Sequence, residues 1–471
     1  LERTTSLLWP GVAVAGAALG YLAGRSPTLA LAAAIALGFI PLVFARYTVG
    51  VGIFILSTFL TLSSTTQKGI GVLVIVAAIG LLAGSPRAVR GDFFRAQRKL
   101  TILLLSLLAW EFLTVIWATS TSDVFYALSR WIPNFLVFYI VYAAVEDRKD
   151  LVTLLVFFVV ASVLSAMIAI ASPPAASSYQ TITRSGGLFD PNALAAVLVA
   201  GFSICVAMTC IRSWSALARL SAGAAAGVCL AGILLSVSRG GLIALVAALI
   251  VAVCIAGRWR FKLALITLAV GFVGVGYFGV VAAPAVRDRL TQNDGGSGRT
   301  TIWQVGWREV KANPIKGVGA GNFSVAGVQY VEQPGATTHE ALVNTGYFVD
   351  TPTVAHNTYL EVLAEGGIPG LVMFLAILGF SLGCIRKAWL ASRTSHDLDL
   401  ELIAYALFAG IVGFLVASFF LSQEFSKQLY FLLAFGPVLL KITSARGTSS
   451  LRVPTSPATA LRRLTGHTGS Y

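Results

Sequence analysis

A chain of 471 residues that is 57% hydrophobic and only 11% charged lies far from the composition of soluble domains, in which about 25% of residues are charged. Its 34 Lys and Arg against 20 Asp and Glu give a net charge of +14. Most of these basic residues fall in short stretches between apolar runs, where they set orientation in a membrane. The expectations are therefore a membrane protein, with membrane lipids as partners and no nucleic acid.

Repeated apolar runs of about 18 or more residues read as spans. The first, Leu7 to Gly24, lacks a small-residue cleavage site before the next run begins and is read as a retained span. In chain order the expected spans are 7–24, 28–45, 47–64, 69–85, 100–118, 124–145, 151–172, 192–211, 218–237, 240–257, 263–283, 366–385, 400–421 and 428–441. Several early ones are short or Gly-rich, so the count is about 12–14. The fold class is an all-α polytopic membrane protein with one long outer loop containing short helices. Its expected parts are eleven or so spans over 1–283, the loop over 284–365, about three more spans over 366–441 and a tail over 442–471. The tail is rich in Ser, Thr, Pro and Arg, a composition that favours disorder.

With the N-terminus in the cytoplasm, alternate loops carry the positive charge, as the positive-inside rule requires. These are Arg87, Arg90, Arg95, Arg98 and Lys99; Arg148 and Lys149; Arg212 and Arg219; Arg258, Arg260 and Lys262; then Arg386, Lys387 and Arg393. The opposite loops, TSTSD near 119–123 and SQEFSK at 422–427, are poor in charge. All five cysteines (Cys205, Cys210, Cys229, Cys254, Cys384) fall in expected spans without zinc spacing and read as small apolar residues.

Three basic positions break the alternation: Arg184, Arg239 and the long loop, which carries Arg287, Arg289, Arg299, Arg308, Lys311 and Lys316. Cations placed against the trend carry an insertion cost and so point to a role. Arg184 lies in TITRSGGLFDPNALA, a Gly-rich turn into a span that Asp190 or Asn192 can cap. Arg239 lies in SVSRGG, a short turn at the membrane boundary. Arg299 opens GRTTIWQVGW, where Ile302, Trp303 and Gly306 have the spacing of a surface-lying amphipathic helix. Guanidiniums fixed beside a membrane suit a lipid-linked phosphate or diphosphate, whose oxygens they bind bidentately. The competing reading is that they snorkel to headgroups or pair with Asp288, Asp294 or Glu309.

His356 lies in VAHNTYLEVLAEGGIPG. Helical spacing from Asn357 puts Leu360, Leu363 and Ala364 together and leaves His356 at the helix start. The helix dipole disfavours a cation there, and a neutral imidazole can take a proton from a hydroxyl nucleophile. It can equally be a hydrogen-bonded structural histidine. Glu361, one turn on, could orient the ring or serve as a capping charge. His339, in GATTHEALVN, reads as structural. The acidic residues and histidines show no metal-ligand spacing, and no metal site or cofactor is expected. GVGAGNF at 317–323 lacks the Lys-Ser/Thr of a nucleotide loop and reads as a turn that lets backbone pack closely.

The ordered set SRGG, RTTIW, NPIKGVGAGNF and AHNTYLEVLAEGGIPG after a multi-span block resembles the O-antigen ligase and polymerase superfamily, most strongly from about Leu234 to Phe374. RSGGLFDPN at 184–192 adds weaker support. The resemblance implies a bacterial inner-membrane glycosyltransferase with its active site on the periplasmic side. Such enzymes transfer a glycan from an undecaprenyl-diphosphate carrier to an acceptor hydroxyl: lipid A–core for a ligase, another carrier-linked repeat unit for a polymerase. The diphosphate-binding arginines would map onto Arg239 and Arg299, with Arg184 a further candidate, and the essential histidine onto His356. Asn357, Glu361 and Asn192 would support them. A metal-independent, inverting reaction by a monomer is expected, with ligase preferred over polymerase. A protein oligosaccharyltransferase, a lipid-linked glycan transporter and a structural subunit are the other readings. A transporter would be expected to place its charges mid-membrane along a path.

Overall fold

The computed structural model describes residues 16–17, 20–26, 30, 46–59, 94–171, 187–291, 299–331 and 353–451. Most or all of the expected spans at 7–24, 28–45 and 69–85 lie outside the described residues, as do Arg184, Asp294, His339 and the chain beyond Leu451. Among the described residues every regular element is helical. That is what a lipid environment imposes, because a helix satisfies its own backbone polar groups.

The helices are α1 (Tyr47–Phe59), α2 (Arg98–Leu113), α3 (Thr121–Ala144), α4 (Arg148–Ala171), α5 (Pro191–Met208), α6 (Ala216–Leu235) and α7 (Arg239–Ile255). There follow α8 (Arg260–Gly276), the loop helices α9 (Pro284–Thr291), α10 (Arg299–Ala312) and α11 (Phe323–Val331), then α12 (Thr358–Thr394), α13 (Leu398–Ala417) and α14 (Lys427–Leu451). Eight described helices are long and apolar enough to cross a membrane, and α1 and α7 are shorter apolar helices. The sequence marks many of the starts: Ser120, Asp190, Ser215, Ser238, Asn357 and Asp397 each accept a backbone N–H of the helix they precede.

α5 sits at the centre, packed against α4, α6, α7 and α13. Its buried face carries Ala195, Ala196, Ala200 and Gly201, small residues that let helices approach closely where no hydrophobic force separates helix from lipid. α12 packs on α2, α13 and α14, and α3 packs on α14. α8 is peripheral: it packs on α7, and none of its residues is buried.

The two ends of the bundle differ. At one end Arg148 pairs with Asp399 and, at 3.6 Å, with Asp397. The Arg212 N–H donates to Asp399 at 3.1 Å, and Arg258 pairs with Glu401. The basic loops expected on one side thus converge. At the other end gather the starts of α5, α7, α10 and α12 and the close of α13. The loop helices dock there through their own apolar cluster, in which Ile302, Val305 and Val310 of α10 and Phe323 of α11 meet Ala355, Leu360 and Ala364. Burying a side chain such as Ile302 or Leu360 contributes about 1.5–3 kcal/mol.

Two boundaries differ from the sequence reading. α12 begins at Thr358, ahead of the span expected at 366, and bends at Gly367, whose φ of 64° is left-handed. The helix expected from Asn357 is thus the first limb of α12, largely buried and continuous with the span. α14 continues past the expected end at 441 to Leu451.

Candidate functional site

The turn between α6 and α7 is fixed to the start of α5 by polar contacts. Asp190 caps α5, accepting the N–H groups of Asn192 at 2.9 Å and Ala193 at 3.3 Å, with Pro191 at the first helical position. Asn192 is therefore not the cap. Its Oδ1 instead accepts the Ser238 hydroxyl at 2.8 Å, while Ser238 Oγ accepts the Gly241 N–H at 3.1 Å and caps α7. A Cβ on Gly241 would lie 2.4 Å from that of Ala195. These contacts hold Arg239, the first residue of α7 and half-buried, beside the start of α5.

The second part is the irregular segment that enters α12. Ala355 is fully buried and tied at both polar groups. Its N–H donates to Glu361 Oε2 at 3.2 Å, and its carbonyl accepts Trp303 Nε1–H of α10 at 2.9 Å. Asn357 then caps α12, accepting from Tyr359 N and Leu360 N at 3.1 Å each. Thr358 donates its N–H and hydroxyl to the Leu421 carbonyl at 2.9 and 2.7 Å. Between these anchors His356 adopts φ +50°, a left-handed conformation that costs a side-chain-bearing residue roughly 1–2 kcal/mol. Such outliers persist where the surroundings over-determine them, and they gather at functional sites.

Electrostatics join the two parts. Burial lowers the His356 pKa below its ordinary value, the Arg299 guanidinium lowers it further, and the Asp190 carboxylate opposes both. His356, Arg299 and Asp190 thus share one electrostatic neighbourhood, with Arg239 and Asn192 joined to it through the α5 start. Arg299 is half-buried at the head of α10. Glu361 is engaged on the backbone side of the ring. It accepts from Ser422 Oγ as well as from Ala355 N–H, and so holds the backbone that presents the ring.

Behind this runs a glycine-dependent lock. Val318 N–H and Gly319 N–H donate to the Ala364 and Glu365 carbonyls at 2.8 and 2.9 Å, and Ile368 N–H donates to the Pro314 carbonyl at 2.9 Å. A Cβ on Gly317 would fall 2.1 Å from the Glu365 carbonyl oxygen, and one on Gly367 would fall 2.0 Å from that of Ile315. Both glycines have left-handed φ. GVGAGNF is thus a close-approach turn. Glu365 accepts the Gly321 and Phe323 N–H groups at 2.8 and 3.2 Å.

Glu309 of α10 is fully buried, and among the described residues neither of its carboxyl oxygens has a hydrogen-bond partner. Burial, reinforced by Glu365 and Glu361, pushes its pKa up to about 10, so it is a neutral acid and no counter-ion for the loop arginines. Arg308 instead donates to the Tyr330 carbonyl at 3.0 Å, and Arg287 to the Ala282 carbonyl at 3.2 and 3.1 Å. Arg130, within α3, places its guanidinium 3.9 Å over the Phe425 ring and acts electrostatically on Glu361 and Glu424. The sequence reading missed it because it lies inside an apolar run, although a cation in such a run is itself a signal. With Asp123, Thr353, Glu361 and Glu365 it supplies the polar part of an otherwise apolar cavity of ≈ 310 Å³. That cavity reaches the same 353–355 segment that leads to His356. Among the described residues no three His, Cys, Asp or Glu side chains are grouped to hold a metal ion.

No curated protein matches the chain. Residues 224–375 match the family model described as O-Antigen ligase. The match runs from α6 into α12, so the segment carrying Arg239, Arg299 and His356 is similar to the O-antigen ligase family.

Proposed function

We propose that the protein is an inner-membrane O-antigen ligase that moves a glycan from undecaprenyl diphosphate to a hydroxyl of lipid A–core at the periplasmic face. Arg239 and Arg299 bind the donor diphosphate, joined by Arg184. His356 is the general base, Asn357 and Glu361 set its backbone, and Asn192 sets the turn that carries Arg239. The observation supporting this reading most is that a half-buried imidazole, its pKa held down by burial, lies in the field of Arg299. It also shares the Asp190 neighbourhood with the turn bearing Arg239.

In the reaction His356 accepts the proton of the acceptor hydroxyl as its oxygen attacks the anomeric carbon. The carbon–oxygen bond to the diphosphate breaks, and undecaprenyl diphosphate leaves with the electron pair. One displacement inverts the anomeric centre. Negative charge grows on the leaving group, so cations aimed at it stabilise the transition state, and removing one such donor costs on the order of a hundredfold in rate. The step requires no metal.

The alternative, a polymerase that joins carrier-linked repeat units, uses the same groups with a different acceptor. The test is purified protein with a polyprenyl-diphosphate glycan in the presence of a chelator. Transfer to lipid A–core and not to a second carrier-linked unit supports the ligase, and the reverse supports the polymerase. Transfer to neither refutes both.

A further inference from the structure

Resting on the diphosphate-binding reading of Arg239, we infer that the groove between α7 and α8 is the seat of the donor's polyisoprenoid chain. A cavity of ≈ 390 Å³ lies there, lined by Leu234 of α6, Leu242 and Val246 of α7, and Gly271, Gly274 and Phe278 on and just beyond α8. Its lining is almost wholly apolar. It opens toward lipid, since no residue of α8 is buried and Val246 is exposed.

The groove's position identifies its occupant. Its upper rim, Leu242, lies less than one turn beyond Arg239, and its lining on α7 continues to Ile250, a further rise of roughly 12 Å at 1.5 Å per residue. An anionic head held by Arg239 therefore leaves its tail at the mouth of an apolar channel that can hold a few isoprene units. Gly271 and Gly274, one turn apart on the same side of α8, widen the channel for a methyl-branched chain. A Cβ on either would meet nothing within 4 Å. Leucines there fill the groove without strain, and they favour the helix. Gly276 is equally open but does not line the groove, so Gly276→Leu is the matched control.

The test is binding of undecaprenyl diphosphate and of a single-isoprene diphosphate to the protein in phosphatidylcholine nanodiscs. The paired variant Gly271→Leu/Gly274→Leu removes roughly 50 Å² of apolar contact. It should weaken the long-chain ligand about tenfold and leave the short-chain ligand and the Gly276→Leu control at wild-type affinity. Equal weakening of both ligands, or no weakening of either, overturns the assignment and makes the groove a seat for bulk lipid only. If long-chain binding behaves as expected while no acceptor is glycosylated, the transferase reading fails and the groove assignment stands.

Discussion

Trp303→Phe removes one hydrogen-bond donor and little volume, and it isolates how His356 is held. In the wild type the Ala355 carbonyl, in a fully buried residue, receives the indole N–H at 2.9 Å. A net hydrogen bond contributes about 0.5–1.5 kcal/mol, and an acceptor left dry and unpaired costs about 1–3 kcal/mol, so the variant should lose about 1–2 kcal/mol of stability. Ala355 immediately precedes His356, and its N–H remains tied to Glu361, so the loss falls on one side of the segment that aims the imidazole. If most of it is felt in the transition state, kcat drops about 5- to 30-fold. The donor KM should change less than twofold, because Ile302 and Gly306 still pack α10 against the α12 cluster. Steady-state transfer kinetics together with a melting curve in detergent decide the matter. A lowered melting temperature with unchanged kcat would make Trp303 a purely structural tether and refute the positioning argument, as would a rise in donor KM alone.

Because burial and Arg299 lower the His356 pKa from its ordinary value, and the base must be neutral to act, the acid limb of kcat/KM should lie at lower pH than an ordinary histidine would give. Asp190 is the group that raises this pKa, so Asp190→Asn should move the acid limb to still lower pH. A limb moving upward contradicts the assignment. The Glu309 pKa is raised from 4.5 to about 10, so above pH 4.5 the folded chain keeps a proton that the unfolded chain loses. Stability should therefore fall by about 1.4 kcal/mol per pH unit from this group. Glu309→Gln should raise the melting temperature at pH 8 and have little effect near pH 5, whereas a destabilising effect at pH 8 would show that the carboxylate is charged. Gly367→Ala should destabilise by more than the roughly 1–2 kcal/mol of left-handed strain, since its Cβ would also strike the Ile315 carbonyl. An unchanged melting temperature would mean that the lock is loose.

Much of the bundle was legible because lipid allows few solutions: an apolar run long enough to cross must be a helix, and spans such as 124–145 and 151–172 correspond to α3 and α4. The amphipathic spacing of Ile302 and Gly306 and the helix running on from Asn357 were readable for the same local reasons. What escaped the sequence depends on partners distant in the chain. A span expected to begin at 366 hides that the Trp110 indole donates to the Gly366 carbonyl at 2.6 Å and that α12 passes through the bend at Gly367. Asn192 has the chemistry of a cap, but Asp190 takes that role and frees Asn192 for Ser238. No local pattern announces that Glu361 holds Ala355, that Glu309 is a neutral acid, or that Arg130 faces the same buried carboxyls from α3.

The central claim is that one imidazole and a set of guanidiniums act on a single sugar-diphosphate bond. It is tested most directly by following, in one purified reaction, glycan joined to lipid A–core and undecaprenyl diphosphate released. The account predicts equal amounts of the two products from the wild type, and neither from a folded His356→Ala or Arg299→Ala variant. Sustained joining by folded His356→Ala, or release of the carrier without a joined product, would contradict it.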